Sequence, residues 1–508
     1  MSRKIEIHGS KDYIEEIENR LGAFKDIIEV RSNLENIVII DGDIPPKEAL
    51  YFGKLLGEKV FWKIHGALFD IYNVERLQKE QDCALRKYDW KTVKQINKII
   101  MEVELFRRES NVHFFPTKIQ VEHSTICNAK CIMCTHYFTD NYKRSFIQDD
   151  TINGIIPVLP YIDKILLHGI GEAFLHPNIK RYLEIYAKFD VDVSCVTNMT
   201  HMNPELAEVI GKSFHSITVS CDGATKQTFE SIRRGISFED FCNHVRLLHE
   251  LQPTLEIRFN VVCMRQNIME MPQIMDLAAE LGVSTVGISG LIAQKILDNL
   301  DDEIRFYPEV AAHYLKEALK KAQKHGIRIL QFPDYVFQLQ RNKSFEEELD
   351  LMMKKPLFHP DTFRNELYER YRKMDVIKPT EQADLVHYAQ SSQYACIGIC
   401  DYFAESPFIG VNGDVTSCCI DGVHIMGDLK KKSFSEIWNN EVYRKMRRIF
   451  YQGNLPKYCV GCMFLKDHTN TNRIMLSGVN NSFFENRFSD LIDSFDRGKG
   501  YETGNMRD

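Results

Sequence analysis

The sequence predicts an α/β protein built around a parallel sheet, and three observations predict it. Between Thr117 and about residue 330, six β-rich runs alternate with amphipathic segments, and repeated strand–helix alternation makes a parallel sheet. Runs such as KILLHGI (164–170) are apolar on both faces, as a sheet covered by helices requires. At 508 residues the chain exceeds one ordinary domain, and its character changes on both sides of this stretch. An open or a closed barrel fits, and periodicity does not choose between them.

Residues 1–112 precede the barrel. KIEIHG reads as a strand, KDYIEEIENRL as a helix, IIEV and NIVIID as two strands, and PPKEALYFGKLLG as a second helix. Residues 71–112 are polar and periodic without Gly or Pro, which predicts one or two long helices. The barrel, 113–330, has strands at 118–124, 164–170, 191–198, 216–223, 255–263 and 285–291. Residues 331–395 are charged and helical in pattern, too long for a plain loop, and predict a linker or lid. Residues 396–466 form a compact segment rich in Cys and Gly, and 467–508 a polar tail.

The charge is nearly balanced, 64 Lys and Arg against 71 Asp and Glu. That argues against a nucleic-acid binder working by general phosphate neutralisation. No run approaches the length of a membrane span, and MSRKIEIHGSKDYIEE has no secretory character, so a cytoplasmic protein is expected. In a reducing compartment the fourteen cysteines are not expected to form disulfides. Cys83, Cys195, Cys221, Cys242 and Cys263 stand alone and read as buried core thiols. The other nine lie in two groups.

The first group is Cys127-Asn-Ala-Lys-Cys131-Ile-Met-Cys134, directly after the first barrel strand. Three thiolates in eight residues can converge on one inorganic centre. A zinc site would need a fourth ligand, for which His136 is available. A [4Fe–4S] cluster with three ligated irons and one open iron needs none.

The CxxxCxxC spacing resembles the signature of the radical S-adenosylmethionine (SAM) superfamily, and the resemblance runs over 117–330. Gly169-Ile-Gly171-Glu172-Ala is similar to the family's GGEP stretch, with Ala173 in place of proline. Thr197-Asn198-Met199 is similar to its TNG, with Met199 in place of glycine. Ser220-Cys-Asp222-Gly223 and Ser231-Ile-Arg233-Arg-Gly235 resemble the pattern of the branch with extra C-terminal clusters. The resemblance implies a partial (β/α)6 TIM-type barrel. It implies a SAM-binding [4Fe–4S] cluster on Cys127, Cys131 and Cys134, and SAM contacts from Met133, Gly169, Gly171, Glu172, Thr197, Asn198, Ser220, Asp222 and Arg233. Chemically, Glu172 suits the SAM ammonium and Arg233 its carboxylate. The implied reaction is reductive SAM cleavage to a 5′-deoxyadenosyl radical, which abstracts a substrate hydrogen atom. A reductant such as flavodoxin or ferredoxin would feed it.

The second group begins with Cys400, followed after twelve residues by Gly413 and after four more by Cys418. Asn412-Gly413 between β-type runs predicts a hairpin. Cys459 and Cys462 form a later CxxC, and a helix is expected to begin near Ser433. The stretch resembles the SPASM/Twitch region of radical SAM enzymes, in its shorter, four-cysteine form. That implies an auxiliary [4Fe–4S] cluster on Cys400, Cys418, Cys459 and Cys462, for which zinc is the alternative metal. Cys396 competes with Cys400 by position. Cys419 would point opposite Cys418 on a strand and reads as structural.

Two enzyme readings follow. The first is oxidation of a small molecule, a sugar or aminocyclitol alcohol, with the auxiliary cluster as electron acceptor. The second is modification of a peptide or protein. A non-catalytic iron–sulfur scaffold is disfavoured by the apparent SAM-contact set. Neither membrane nor nucleic acid is an expected partner, and no side chain outside these sets is identifiable as a catalytic base.

Overall fold

The computed structural model describes residues 74–355 apart from 135, 137–143, 294–296 and 298, then 403, 405–419 and 425–452, and five strands before residue 71. Those strands are β1 (Ile5–Gly9), β2 (Ile28–Ser32), β3 (Ile37–Asp41), β4 (Val60–Ile64) and β5 (Ala67–Asp70). They form one sheet in the order β2-β1-β3-β4-β5. β1 is parallel to β2 and antiparallel to β3; β4 is parallel to β3 and antiparallel to β5. The three expected strands are present. The β4–β5 pair was not expected, because VFWKI and ALFD are split by only His65 and Gly66. The two expected helices lie outside the described residues.

Two helices follow, Val74–Arg86 and Trp90–Arg107. The second lies across the N-terminal ends of the barrel strands. Its Trp90 Nε1 donates to the Lys188 carbonyl at 3.0 Å, and Asn97 exchanges two 2.9 Å bonds with the Phe115 backbone. Cys83, expected in the core, is exposed: it lies on the first helix, which buries Leu77, Gln81 and Ala84 instead. The other four solitary cysteines are buried.

Among the described residues the main sheet has ten strands. Seven run in sequence order and all parallel: β6 (Lys118–Val121), β7 (Lys164–Leu167), β8 (Asp192–Thr197), β9 (Ser216–Ser220), β10 (Glu256–Cys263), β11 (Thr285–Gly290) and β12 (Arg328–Gln331). Six of these match the expected strands. β12 is a seventh, formed by a four-residue run after the left-handed Gly326 that caps helix Pro308–His325. Helices fill the connections and bury the outer face: Ile119 and Val121 of β6, Ile165 and Leu167 of β7, and Val193 and Cys195 of β8 join one apolar core.

The remaining strands come from the C-terminal region: β13 (Phe408–Ile409), β14 (Asp414–Thr416) and β15 (Ile425–Asp428). β13 pairs parallel with β6, and β14 and β15 follow antiparallel. β6 therefore has β7 on one side and β13 on the other, and β12 does not reach it. Among the described residues the barrel is not closed. The expected Asn-Gly hairpin is present, with Gly413 at φ +90°, a conformation glycine adopts without cost. Helix Phe434–Trp438 opens at Ser433 with a capping box to Glu436, as expected. It packs on the strap leading into β6, where Trp438 Nε1 donates to the Phe114 carbonyl at 2.9 Å, and Arg447 of the next helix, Glu441–Tyr451, donates to the Ser110 carbonyl at 3.1 Å.

Candidate functional site

The loop carrying Cys127, Cys131 and Cys134 leaves the C-terminal end of β6 and is held by a second segment of the sequence. Lys130 N donates to the Arg234 carbonyl at 2.7 Å, and Ile132 N to the Ile232 carbonyl at 3.0 Å. The Ser231–Gly235 segment is thus a backbone clamp on the cysteine loop. Gly235, at φ +85°, lies against the Asn128 carbonyl. Burial pushes the Cys127 thiol up to about 11 and the Cys131 thiol to about 12. Metal binding reverses such a shift by stabilising the thiolate.

The donor set suits an iron–sulfur cluster. Two N–H groups already point at sulfur: Asn198 Nδ2 lies 3.8 Å from Cys127 Sγ and Arg233 Nη1 3.8 Å from Cys131 Sγ. Hydrogen bonds to sulfur are among the groups that tune cluster potentials. Among the described residues no three His, Cys, Asp or Glu side chains converge on a single-ion site. A cubane does not require that, since its thiolates bind separate irons. His136, the expected closer of a zinc site, is buried, with its ring on the Thr125 backbone.

Glu172 follows β7 and is 3% exposed. Its carboxylate accepts from Thr197 Oγ1 at 2.9 Å, Asn198 N at 2.7 Å and Phe174 N at 3.3 Å. Burial raises its pKa despite these donors. Glu172, Thr197 and Asn198 are therefore brought together, with the glutamate joining the ends of β7 and β8. Met199 stands in the left-handed region at φ +60° and is fully buried. The family's glycine at this position is explained: a side chain there costs roughly 1–2 kcal/mol. His244 Nδ1 helps to hold the turn by bonding the Met199 carbonyl at 2.8 Å.

Asp222 and Arg233 are paired at 2.7 Å, with Asp222 fully buried and Arg233 nearly so. The other Asp222 oxygen accepts from Val262 N at 2.7 Å. Burial raises the Asp222 pKa against the pull of Arg233. Ser220, at the end of β9, is buried. Met133 packs against a small cluster of Ile132, Ile232, Met264 and Leu291. Gly169 and Gly171 are required by protein neighbours: a Cβ at Gly169 would lie 2.4 Å from Glu122 Cγ, and one at Gly171 would lie 2.2 Å from the Ser124 carbonyl oxygen.

Of the second cysteine set, Cys418 and Cys419 are half-buried in bends after β14, which ends at Thr416. The strand alternation expected to separate them does not extend that far. Cys396, Cys400, Cys459 and Cys462 lie outside the described residues.

Two residues escaped the sequence reading. Gln120 on the inner face of β6 and Glu122 just after the strand each span from the β7 loop to the C-terminal region. Gln120 meets His168 and Ser406. Glu122 accepts from Ile170 N at 3.1 Å and from the backbone of Val411. The signal was present in KIQVEHS, where two polar side chains share one face of an otherwise apolar strand.

Family models locate the same two regions. Residues 121–278 match the radical SAM superfamily, and residues 400–463 match an iron–sulfur cluster-binding domain, SPASM. The second match begins at Cys400 and leaves Cys396 outside. No curated protein matches the chain. Similar solved structures include SuiB of Streptococcus suis bound to S-adenosylmethionine, at 13% identity over 85% of this chain and 88% of that one, TM-score 0.48. Others are anSMEcpe with bound AdoMet, at 15% identity over 75% of this chain and 96% of that one, TM-score 0.44, and BtrN with AdoMet and 2-DOIA, at 11% over 70% and 94%, TM-score 0.32. With the cysteine loop, its backbone clamp and the matched C-terminal segment in place, this chain carries a radical SAM domain followed by a C-terminal SPASM domain, and the two together imply SAM and two iron–sulfur clusters as its cofactors.

Proposed function

We propose that the enzyme is an oxidoreductase that removes a hydrogen atom and then an electron from a small-molecule alcohol, of the sugar or aminocyclitol kind. Cys127, Cys131 and Cys134 hold the SAM cluster in this reading; Cys400, Cys418, Cys459 and Cys462 hold the auxiliary cluster. The bound cofactors supply reductive cleavage of SAM and a hydrogen-abstracting radical. The chain positions and shields them. Glu172 faces the ammonium of SAM with what acceptor capacity Thr197 and Asn198 leave it. Arg233, held by Asp222, offers a guanidinium to the carboxylate, so Asp222 works through Arg233. Ser220, Met133, Gly169 and Gly171 complete the pocket wall.

One observation carries the oxidoreductase reading. The SPASM hairpin is continuous with the catalytic sheet: Gln120 N donates to the Pro407 carbonyl and Glu122 N to the Ile409 carbonyl, both at 2.9 Å. Glu122 is five residues from Cys127, so one strand connects both cluster regions and supports a short electron path. The five-stranded N-terminal sheet also differs from the winged-helix peptide-binding module of many peptide maturases. The organisation into 1–112, 113–330, 331–395, 396–466 and 467–508 stands as part of the proposal.

A second reading, modification of a peptide, is favoured by one feature. A cavity of about 1010 Å³ opens at the C-terminal ends of β11 and β12. Ile292, Leu300 and Tyr335 of its lining are exposed, more apolar room than one polyol needs. The deciding experiment incubates reduced, reconstituted enzyme and SAM with a metabolite extract from a deletion strain. A product two hydrogens lighter than its precursor, formed with 5′-deoxyadenosine, supports oxidation. 5′-Deoxyadenosine without any such small product defeats it. Among the described residues no helix is long and apolar enough to cross a membrane.

A further inference from the structure

The oxidation proposed above must dispose of a proton as well as a hydrogen atom and an electron. We propose that His168 is the catalytic base that accepts it. The inference rests on the oxidoreductase reading and on three observations.

The first is tautomer. Gln120 Nε2 lies 3.1 Å from the Ser406 backbone carbonyl and 3.3 Å from Ser406 Oγ. A backbone carbonyl only accepts, so the amide NH2 of Gln120 must face it. Gln120 Oε1 then faces His168 Nδ1 at 3.1 Å, so Nδ1 carries the proton and donates it to that bond. In the neutral ring Nε2 is left with its lone pair, and burial lowers the pKa of the ring, which favours that neutral form.

The second is direction. Ile165 and Leu167 of β7 pack outward into the core. Side chains alternate along a strand, and contact with Gln120 places His168 on the inner face.

The third is access. His168 is exposed at its surface, although enough protein packs around the ring to cost its charged form part of its hydration. Val196, on the inner side of the next strand, is 48% exposed in the middle of a ten-stranded sheet. The inner face is therefore an open channel at this level. His168 directly precedes Gly169-Ile-Gly171-Glu172, which places its imidazole beside the SAM loop.

The step balances. The carbinol C–H hydrogen atom goes to the 5′-deoxyadenosyl radical, the O–H proton to His168 Nε2, and the remaining electron to the oxidised auxiliary cluster. The C–O single bond becomes a carbonyl. Gln120 is a positioning residue, since it fixes which nitrogen is free.

The test has two arms. Reconstituted holoenzyme with SAM is treated with diethylpyrocarbonate, which acylates reachable unprotonated imidazole nitrogens, and labelling is mapped by mass spectrometry. His123 and His176 are internal standards. Both are buried, with both ring nitrogens engaged. His168 should label at least about tenfold faster than either, since they react only through local opening. Equal rates would overturn the open-base assignment without touching the oxidoreductase reading. In the second arm, His168→Gln is assayed with the deletion-strain extract for the lighter product per 5′-deoxyadenosine formed. The ratio should fall by roughly 10²–10⁴-fold, as for loss of a positioned base, and added imidazole should partly restore it in His168→Ala. A wild-type ratio in His168→Gln overturns the proposal. A wild-type enzyme that yields no lighter product overturns the oxidoreductase reading instead, while the labelling arm still decides whether the base site is open.

Discussion

The two ends of the barrel strands treat carboxylates in opposite ways. At the N-terminal ends, Glu256 of β10 accepts from Arg258 at 2.5 Å and Thr285 at 2.7 Å, and is paired with Arg328. Burial works against its charge, but those donors and the two guanidinium groups outweigh it and pull its pKa down to about 2. Asp192 of β8, held by Lys164 and His215, is lowered in the same way against the same burial cost. At the C-terminal ends, Glu122, Glu172 and Asp222 all have raised pKa values because burial outweighs their partners. The N-terminal face is electrostatically satisfied, whereas the C-terminal face keeps acids at a cost to folding. Barrels place catalysis at the C-terminal face, and unfavourable groups kept at one end mark a site that works on a ligand.

The largest test removes the function of one end altogether. Changing Cys127, Cys131 and Cys134 together to Ala should abolish SAM cleavage and remove about four irons per chain. Iron analysis and 5′-deoxyadenosine assays check both, and retained cleavage would defeat the cluster assignment. Next is the auxiliary centre. Cys459→Ala with Cys462→Ala should abolish oxidised product while leaving some abortive SAM cleavage. Zinc in place of iron at that centre, or a wild-type product yield, would end the electron-acceptor reading.

Glu172→Ala sharpens the comparison, because in the proposed reading this residue serves both ligand and fold. SAM affinity should fall roughly ten- to a hundredfold, the effect of losing a charge-assisted bond of ~1.5–3 kcal/mol. Stability should also fall, by about 1–3 kcal/mol, since Thr197, Asn198 and Phe174 lose their shared acceptor. Calorimetry and denaturant titration separate the two. Unchanged affinity would show that the carboxylate serves the strand ends alone.

The smallest effect is expected at the opposite end. Glu256→Gln should cost about 1 kcal/mol of stability, discounted for partial exposure, with SAM affinity unchanged. The sign follows from the lowered folded pKa. The Glu256 contribution is complete above the unfolded value of about 4.3 and is lost as pH falls toward 2. Acid titration of stability should therefore differ between wild type and variant above pH 4 and converge below it. A constant offset down to pH 2 would show that the loss is packing, not charge.

The cysteine loop was legible in the sequence because its information is local. Its spacing, the glycines after β7 and the Thr-Asn pair at the end of β8 are each contained in a few residues. The Gly413 turn and the Ser433 cap were legible for the same reason. The pairing of β13 with β6 was not, since it joins residues almost 290 positions apart through a two-residue strand. β12 was missed because a four-residue run gives periodicity little to act on. Cys83 was misplaced because a lone thiol does not reveal which side of its helix faces the core. Gln120 and His168 could be assigned roles only once the Ser406 carbonyl fixed the orientation of the amide.

The docking of β13 on β6 also decides how this protein can be handled. β6 is an edge strand of the parallel sheet, and β13 satisfies the donors and acceptors along its free side. A chain cut after residue 355 would keep the cysteine loop, the glycine loop after β7 and the seven strands β6 to β12, yet would expose that side directly beside the cysteines. Unprotected edges recruit other chains, so such a fragment should aggregate rather than yield a minimal catalytic domain. Swapping in an auxiliary domain from another protein should succeed only if the graft brings its own strand in register with Gln120 and Val121.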